Sequence, residues 1–157
     1  MILSYNELLS MGFRIGRDVP QATVELAISM AELYMVKPSL LDSDFNALCD
    51  MDASSALIAG GTYTDEQGNS HRVAGLKMGI GCIAYAELLR MNITVTTFGS
   101  VQKNDEFSIN VEPKEQIKHM LAVGTQYVRE VCTLAGMKYE PTTGVNRETY
   151  FKGGRKG

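Results

Sequence analysis

The sequence predicts a mainly α protein: a small helical bundle with a short β-ribbon, an extended β-rich excursion and an extended C-terminal tail. Three observations predict it. Apolar residues recur at helical spacing in three separate stretches. Between them lie a polar Thr/Tyr/Val run centred on a turn and a β-branched run. The last 20 residues have no periodicity at all.

Taken in order, residues 4–11 form a short segment with Leu8 and Leu9 as expected core anchors. Gly12, Gly16, Asp18 and Pro20 then punctuate the chain. Asp18 is the expected N-cap of the first long helix, with Val19 and Pro20 opening its first turn and Glu25 near its start. Val24, Ala27, Ile28, Ala31 and Met35 mark its buried stripe, and Pro38 ends it. A second helix spans 41–51, with Ser43 as its expected cap and Phe45, Leu48 and Cys49 on one face. Its Asp42-x-Asp44-x-Asn46 start imitates a calcium loop, but Ala47 stands where such a loop needs glycine and Ala53 where it needs a bidentate Glu. The better reading is acidic residues complementing a helix N-terminus. Residues 52–59 are expected to continue helical as far as Gly60 and Gly61.

Residues 61–73 place Thr, Tyr and Val on either side of a Glu-Gln-Gly-Asn turn, the pattern of a two-stranded ribbon. An isolated hairpin is marginal in water, so it must lean on the body or on a neighbour. The central helix covers 75–91, with Leu76, Ile80, Ile83, Ala84 and Leu88 as its stripe and Asn92 at its end. Gly79-x-Gly81-x-x-Ala84 formally matches a dinucleotide fingerprint. That fingerprint requires a preceding buried strand, whereas these glycines sit inside a helical pattern already under way. Glycine inside a helix costs about 0.8–1 kcal/mol, so close helix–helix approach is the better explanation.

From 93 to 101 the chain is β-branched and aromatic, with Gly99 at a bulge or bend and a turn at Asn104 and Asp105. Residues 108–111 stay open as a further extended piece. Pro113 lies in the first turn of the last long helix, whose stripe is Ile117, Leu121, Gly124, Val128, Val131 and Ala135, with Gly136 as its stop. Val24, Ile28, Leu76, Ile80, Ile83, Leu121, Val128 and Val131 are expected to share one core. The division expected is a helical domain over 1–137 and a tail over 138–157.

Function is constrained first by what is missing. No P-loop, GxSxG elbow or HExxH occurs, and His71 and His119 have no companions at metal-ligand spacing. No catalytic constellation can be assembled, so the expectation is a non-enzyme without cofactor or metal. Cys49, Cys82 and Cys132 show no CxxC spacing and read as small core residues. No apolar run approaches a membrane span, and the N-terminus lacks the pattern of a signal peptide, so an unexported protein with reduced thiols is expected. The net charge of −3 divides unevenly, with +3 on residues 138–157 and −6 on the rest. An acidic body argues against general DNA binding, which needs clustered Lys and Arg.

Four stretches carry a resemblance: Gly60-Gly-Thr-Tyr-Thr-Asp65, Ala74-Gly-Leu-Lys77, Ala84-Tyr-Ala86 and Asn92-Ile-Thr-Val-Thr-Thr-Phe-Gly-Ser-Val-Gln-Lys103. With the order of elements over residues 20–136, they make the chain resemble the head–tail connector (adaptor or ring) proteins of tailed phages, in particular those of crAss-like Bacteroides phages. The resemblance implies a structural virion protein, assembled in the host cytoplasm into a dodecameric ring at the head–tail junction. Its implied partners are copies of itself, the portal protein, and tail or neighbouring ring proteins, with genomic DNA passing through without specific binding. The ribbon and the excursion have no evident partner within the chain, which assigns Tyr63, Thr64, His71, Thr97, Phe98, Val101 and Lys103 to protein interfaces. In the tail, Tyr150 and Phe151 are expected anchors and Lys152, Arg155 and Lys156 expected steering charges. A frayed, solvated terminus is the alternative for the tail. For the whole chain the alternative is a small intracellular helical adaptor or regulatory module.

Overall fold

The fold is described from a computed structural model, over residues 1–91 and 113–141. It is mainly helical with one two-stranded antiparallel ribbon. The β-rich excursion and the tail beyond Pro141 lie outside the described residues.

Helix α1 (Tyr5–Ser10) opens on a capping box, in which the Ser4 hydroxyl accepts from the Glu7 amide and Glu7 accepts from the Ser4 amide. Leu8 is buried, but Leu9 points away from the core and is 41% exposed. Helix α2 (Gln21–Met30) starts after Pro20, so Asp18 is not its cap; Pro20 holds that position and brings no side-chain hydrogen bond. Proline presets the backbone for helix entry, which makes Asp18 dispensable there.

Past Met30 the rod continues as a π-helical segment (Ala31–Val36) and a 3-10 turn (Lys37–Ser39), neither foreseen from the sequence. The buried positions explain the first. Val24, Ile28, Glu32 and Val36 recur every four residues, as do Ala27, Ala31 and Met35. A strict four-residue repeat drifts around an α-helix of 3.6 residues per turn. The wider π turn takes up that drift and keeps both rows facing the core.

Helix α3 (Asp42–Asp50) has Leu41 at its cap and no side-chain cap bond, so Ser43 does not serve as expected. Phe45 and Leu48 are buried, whereas Cys49 is exposed and not a core residue. Asp42, Asp44 and Asn46 lie on this helix, not on a loop. The chain does not run on helically from there. Met51 turns extended, Asp52 accepts from the Ser54 amide and hydroxyl, and only the short α4 (Ala56–Ala59) resumes. An Asp that captures nearby backbone and hydroxyl donors competes with helix continuation, which accounts for the break.

Strands β1 (Gly61–Thr64) and β2 (Ser70–Val73) pair with Tyr63 opposite His71 and Thr64 opposite Ser70. The ribbon is fixed at its base by two glycines. Gly60 and Gly75 have φ of +89° and +91°, and a Cβ on Gly75 would lie 2.3 Å from the Gly60 nitrogen. The two backbones therefore touch where the ribbon leaves the body, an approach only glycine permits.

Helix α5 (Leu76–Arg90) is the centre of the fold. From Gly79 to Leu89 every residue is buried, and only Lys77, Met78 and Arg90 reach the surface. Its apolar character extends all round because it is enclosed on several sides. The α2 rod covers one side, helix α6 (Pro113–Leu134) another, and Leu8, Met11 and Phe13 close over Gly81. Phe13 stacks on Tyr85 with ring centroids 4.8 Å apart. Of the two glycines expected to admit a close helix approach, Gly79 does so, against Gly124 of α6, whereas Gly81 faces the side chains of Leu8, Met11 and Phe13. A Cβ on Gly79 would lie 2.8 Å from Val128 Cγ2, and one on Gly124 would lie 2.8 Å from the Gly79 carbonyl oxygen. Gly79 faces Gly124 and Val128 while Ile83 meets Gly124 and Tyr85 reaches Gln116, so the two helices run antiparallel.

The expected core forms as one cluster, with one difference. Val24, Ile28, Leu76, Ile80, Ile83, Val128 and Val131 are buried, but Leu121 is only half-buried, as is Ile117. Cys82 and Cys132 are core residues whose thiols burial pushes up to about 11. Gly136 ends α6 in a Schellman motif, with the Met137 amide donating to the Cys132 carbonyl and the Gly136 amide to that of Thr133.

Candidate protein-interaction site

The ribbon's alternation sorts its residues into two faces. Tyr63, His71 and Val73 turn toward the body, half-buried or buried, with Tyr63 packed against the core. Thr62, Thr64, Ser70 and Arg72 form the other face and are all exposed. Of the ribbon residues assigned to an interface from sequence, Thr64 thus stands outward, Tyr63 packs against the core, and His71 is held by Asp65 of the turn with its side chain 38% exposed. Asp65 organises the turn. Its carboxylate accepts from the amides of Gln67 and Asn69 and pairs with His71 Nε2 at 2.9 Å. These contacts, the His71 hydrogen bond first, hold the Asp65 carboxyl below its ordinary value.

A second surface was not identified from sequence. Leu26, Leu33, Tyr34 and Leu41 are 53%, 48%, 70% and 66% exposed. Leu26 lies seven and eight residues before Leu33 and Tyr34, about two turns of the rod, so the three share its solvent side. Leu41 lies two residues past the 3-10 turn, at the cap position of α3. The signal was present: these residues are apolar yet fall off the Val24, Ala27, Ile28, Ala31, Met35 stripe. On α3, which follows the rod in the chain, Asp42 and Asp50 are exposed and Asp44 half-buried.

Behind this face, Glu32 is buried at 4% exposure. One of its carboxylate oxygens accepts from the amides of Ile2 and Leu3, each at 2.8 Å, and ties the N-terminal segment to the rod. Burial pushes its carboxyl above the ordinary value, with the two amide bonds opposing. Glu7 is joined to Lys77, which fastens α1 to the start of α5. At the other end of the chain, Tyr139 packs against the core and the Glu140 amide donates to the Ser39 carbonyl at 2.9 Å. Both residues fall in the stretch read from sequence as tail, and both lie against the body.

Thr97, Phe98, Val101, Lys103, Tyr150, Phe151, Lys152, Arg155 and Lys156 lie outside the described residues. Among the described residues, no group of three or more His, Cys, Asp or Glu side chains could hold a metal ion, and no helix is long and apolar enough to cross a membrane.

Residues 36–125, more than half of the chain, match a family described as a family of unknown function (DUF6712). The chain belongs to this family. The DUF6712 region takes in α3, α4, the ribbon, α5 and the first half of α6, and so holds both partners of the Gly79 and Gly124 crossing. Leu26, Leu33 and Tyr34 precede it, and the C-terminal residues follow it. No curated protein and no solved structure matches the chain.

Proposed function

We propose that the protein is a structural, non-catalytic subunit of a homo-oligomeric ring at the head–tail junction of a tailed phage. In this reading it joins the portal to tail or further ring proteins and leaves a channel for DNA. The observation that carries the reading is that the described residues complete a core yet leave two surfaces without a partner among themselves. One is the outward face of the ribbon and the other the apolar face of the rod. A two-stranded ribbon on a glycine neck is suited to reach a neighbouring chain, because edges unpaired among the described residues and a polar face gain partners there. Identical subunits that pack head to tail close into a ring when the rotation between them permits. The resemblance of the Gly60–Asp65, Ala74–Lys77 and Ala84–Ala86 stretches to phage connectors supplies the location. The first two of these stretches flank and build the ribbon neck, and the third lies in the central helix.

Mass spectrometry of purified virions, with electron microscopy of the purified protein alone and mixed with portal, tests this. The expected result is the chain in virions at a fixed ratio to portal, and rings on the portal. Virions that lack the chain, with the protein confined to the host cell fraction, would replace this reading with that of an intracellular adaptor.

A further inference from the structure

The apolar face of the rod can be assigned an occupant. The described chain ends at Pro141, one residue past the Glu140 amide bonded to the Ser39 carbonyl in the turn that ends the rod, and 16 residues follow. Those residues contain Val145, Tyr150 and Phe151, and carry Arg147, Lys152, Arg155 and Lys156 against Glu148 alone. Residues 21–56, which contain the face, carry six acidic residues against Lys37, and five of the six lie outside the core, Glu32 being buried. The tail thus offers apolar anchors and positive charge to a segment that exposes apolar side chains and carries negative charge.

Val145 follows Pro141 by four residues and Tyr150 by nine. Nine residues reach at most about 30 Å. That reach allows the same copy or an adjacent one, and the reading of the chain as a self-assembling subunit selects the adjacent copy.

We propose that residues 142–157 of one copy dock on the face formed by Leu26, Leu33, Tyr34 and Leu41 of an adjacent copy. Tyr150 and Phe151 fill the apolar surface, and the basic residues pair with Asp42, Asp44 and Asp50. The proposal rests on the reading of the chain as a self-assembling subunit, and it names the surface that links one copy to the next. Aromatic anchors set in a ring of charge are the usual energetic centre of such contacts.

Zero-length carbodiimide coupling of the full chain, in an equal mixture of light and heavy-nitrogen protein, tests it. Lys152 or Lys156 should join Asp42, Asp44 or Asp50 in mixed-label pairs whose yield rises with chain concentration. Tyr150→Ala with Phe151→Ala should lower that yield roughly tenfold or more. Tyr34→Asp should do the same while leaving the helical circular dichroism unchanged, because Tyr34 is exposed. Same-label pairs alone would place the tail on its own subunit and overturn the proposal; so would the absence of these pairs at high concentration. Electron microscopy of the same samples, alone and with portal added, separates the two readings. Rings without tail-to-face pairs overturn the docking and leave the ring, whereas mixed-label pairs without rings leave the docking and remove the ring.

Discussion

A single methyl group added at Gly124 is expected to destabilise the fold although it improves helix propensity. In an exposed helix, Gly→Ala gains about 1 kcal/mol. At Gly124 the new Cβ would stand 2.7 Å from Ile83 Cγ1, 2.8 Å from the Gly79 carbonyl oxygen and 3.1 Å from Cys82 Cβ. Ile83 can change rotamer, but the Gly79 carbonyl belongs to the backbone of the buried central helix and cannot yield without moving α5. Overpacking of this kind costs about 1–3 kcal/mol, and a backbone obstacle puts it at the upper end. The net expectation is a loss of about 1–2 kcal/mol, or roughly 3–8 °C in Tm for a chain of this length. Thermal and urea unfolding of Gly124→Ala followed by circular dichroism would measure it. Ile83→Val in the same chain should restore only part of the loss, because the Gly79 carbonyl remains. A Gly124→Ala protein as stable as wild type, or more so, would show that α5 and α6 do not cross at these glycines.

Two further outcomes follow from burial and charge. Leu76→Ala should cost about 2–5 kcal/mol, because Leu76 is fully buried, whereas the same change at half-buried Leu121 should cost clearly less; equal losses in urea unfolding would contradict the packing of α6. Two glutamates should respond to pH in opposite senses, read from unfolding midpoints of Glu7→Gln and Glu32→Gln between about pH 3 and about pH 7. Lys77 holds the Glu7 carboxyl below its ordinary 4.5, so Glu7 stabilises above that value and the benefit disappears as pH falls through the lowered folded value. Burial holds the Glu32 carboxyl above 4.5, so its contribution is complete below 4.5 and fades as pH rises through the raised folded value. Wild type should therefore gain on Glu7→Gln with rising pH and lose ground to Glu32→Gln; parallel curves would refute both assignments.

The sequence alone determined the main helical segments, where the ribbon lies, and that Gly79 belongs to a tight packing. Gly124 is legible only as part of the last helix's stripe, and 52–59 reads as helix where the chain breaks. Apolar spacing and turn chemistry are local properties, readable without knowing what each element meets. The ends of elements were less legible. Asp18 and Ser43 have the chemistry of caps, but Pro20 and Leu41 hold those positions, because tertiary placement of the rod and α3 fixes where each helix begins. Cys49 and Leu9 matched an apolar pattern yet are exposed, since no described element covers their side of α3 or α1. The π turn needed three dimensions: only a rod that must keep one side on α5 has reason to absorb the drift of a four-residue repeat. The apolar face of Leu26, Leu33 and Tyr34 was written in the sequence as residues off the stripe. What the tertiary structure added is that nothing described in the chain covers them, and that the described chain ends against the last turn of the same rod. Whether an apolar side chain is core or surface depends on what packs over it, and a helical period specifies only direction.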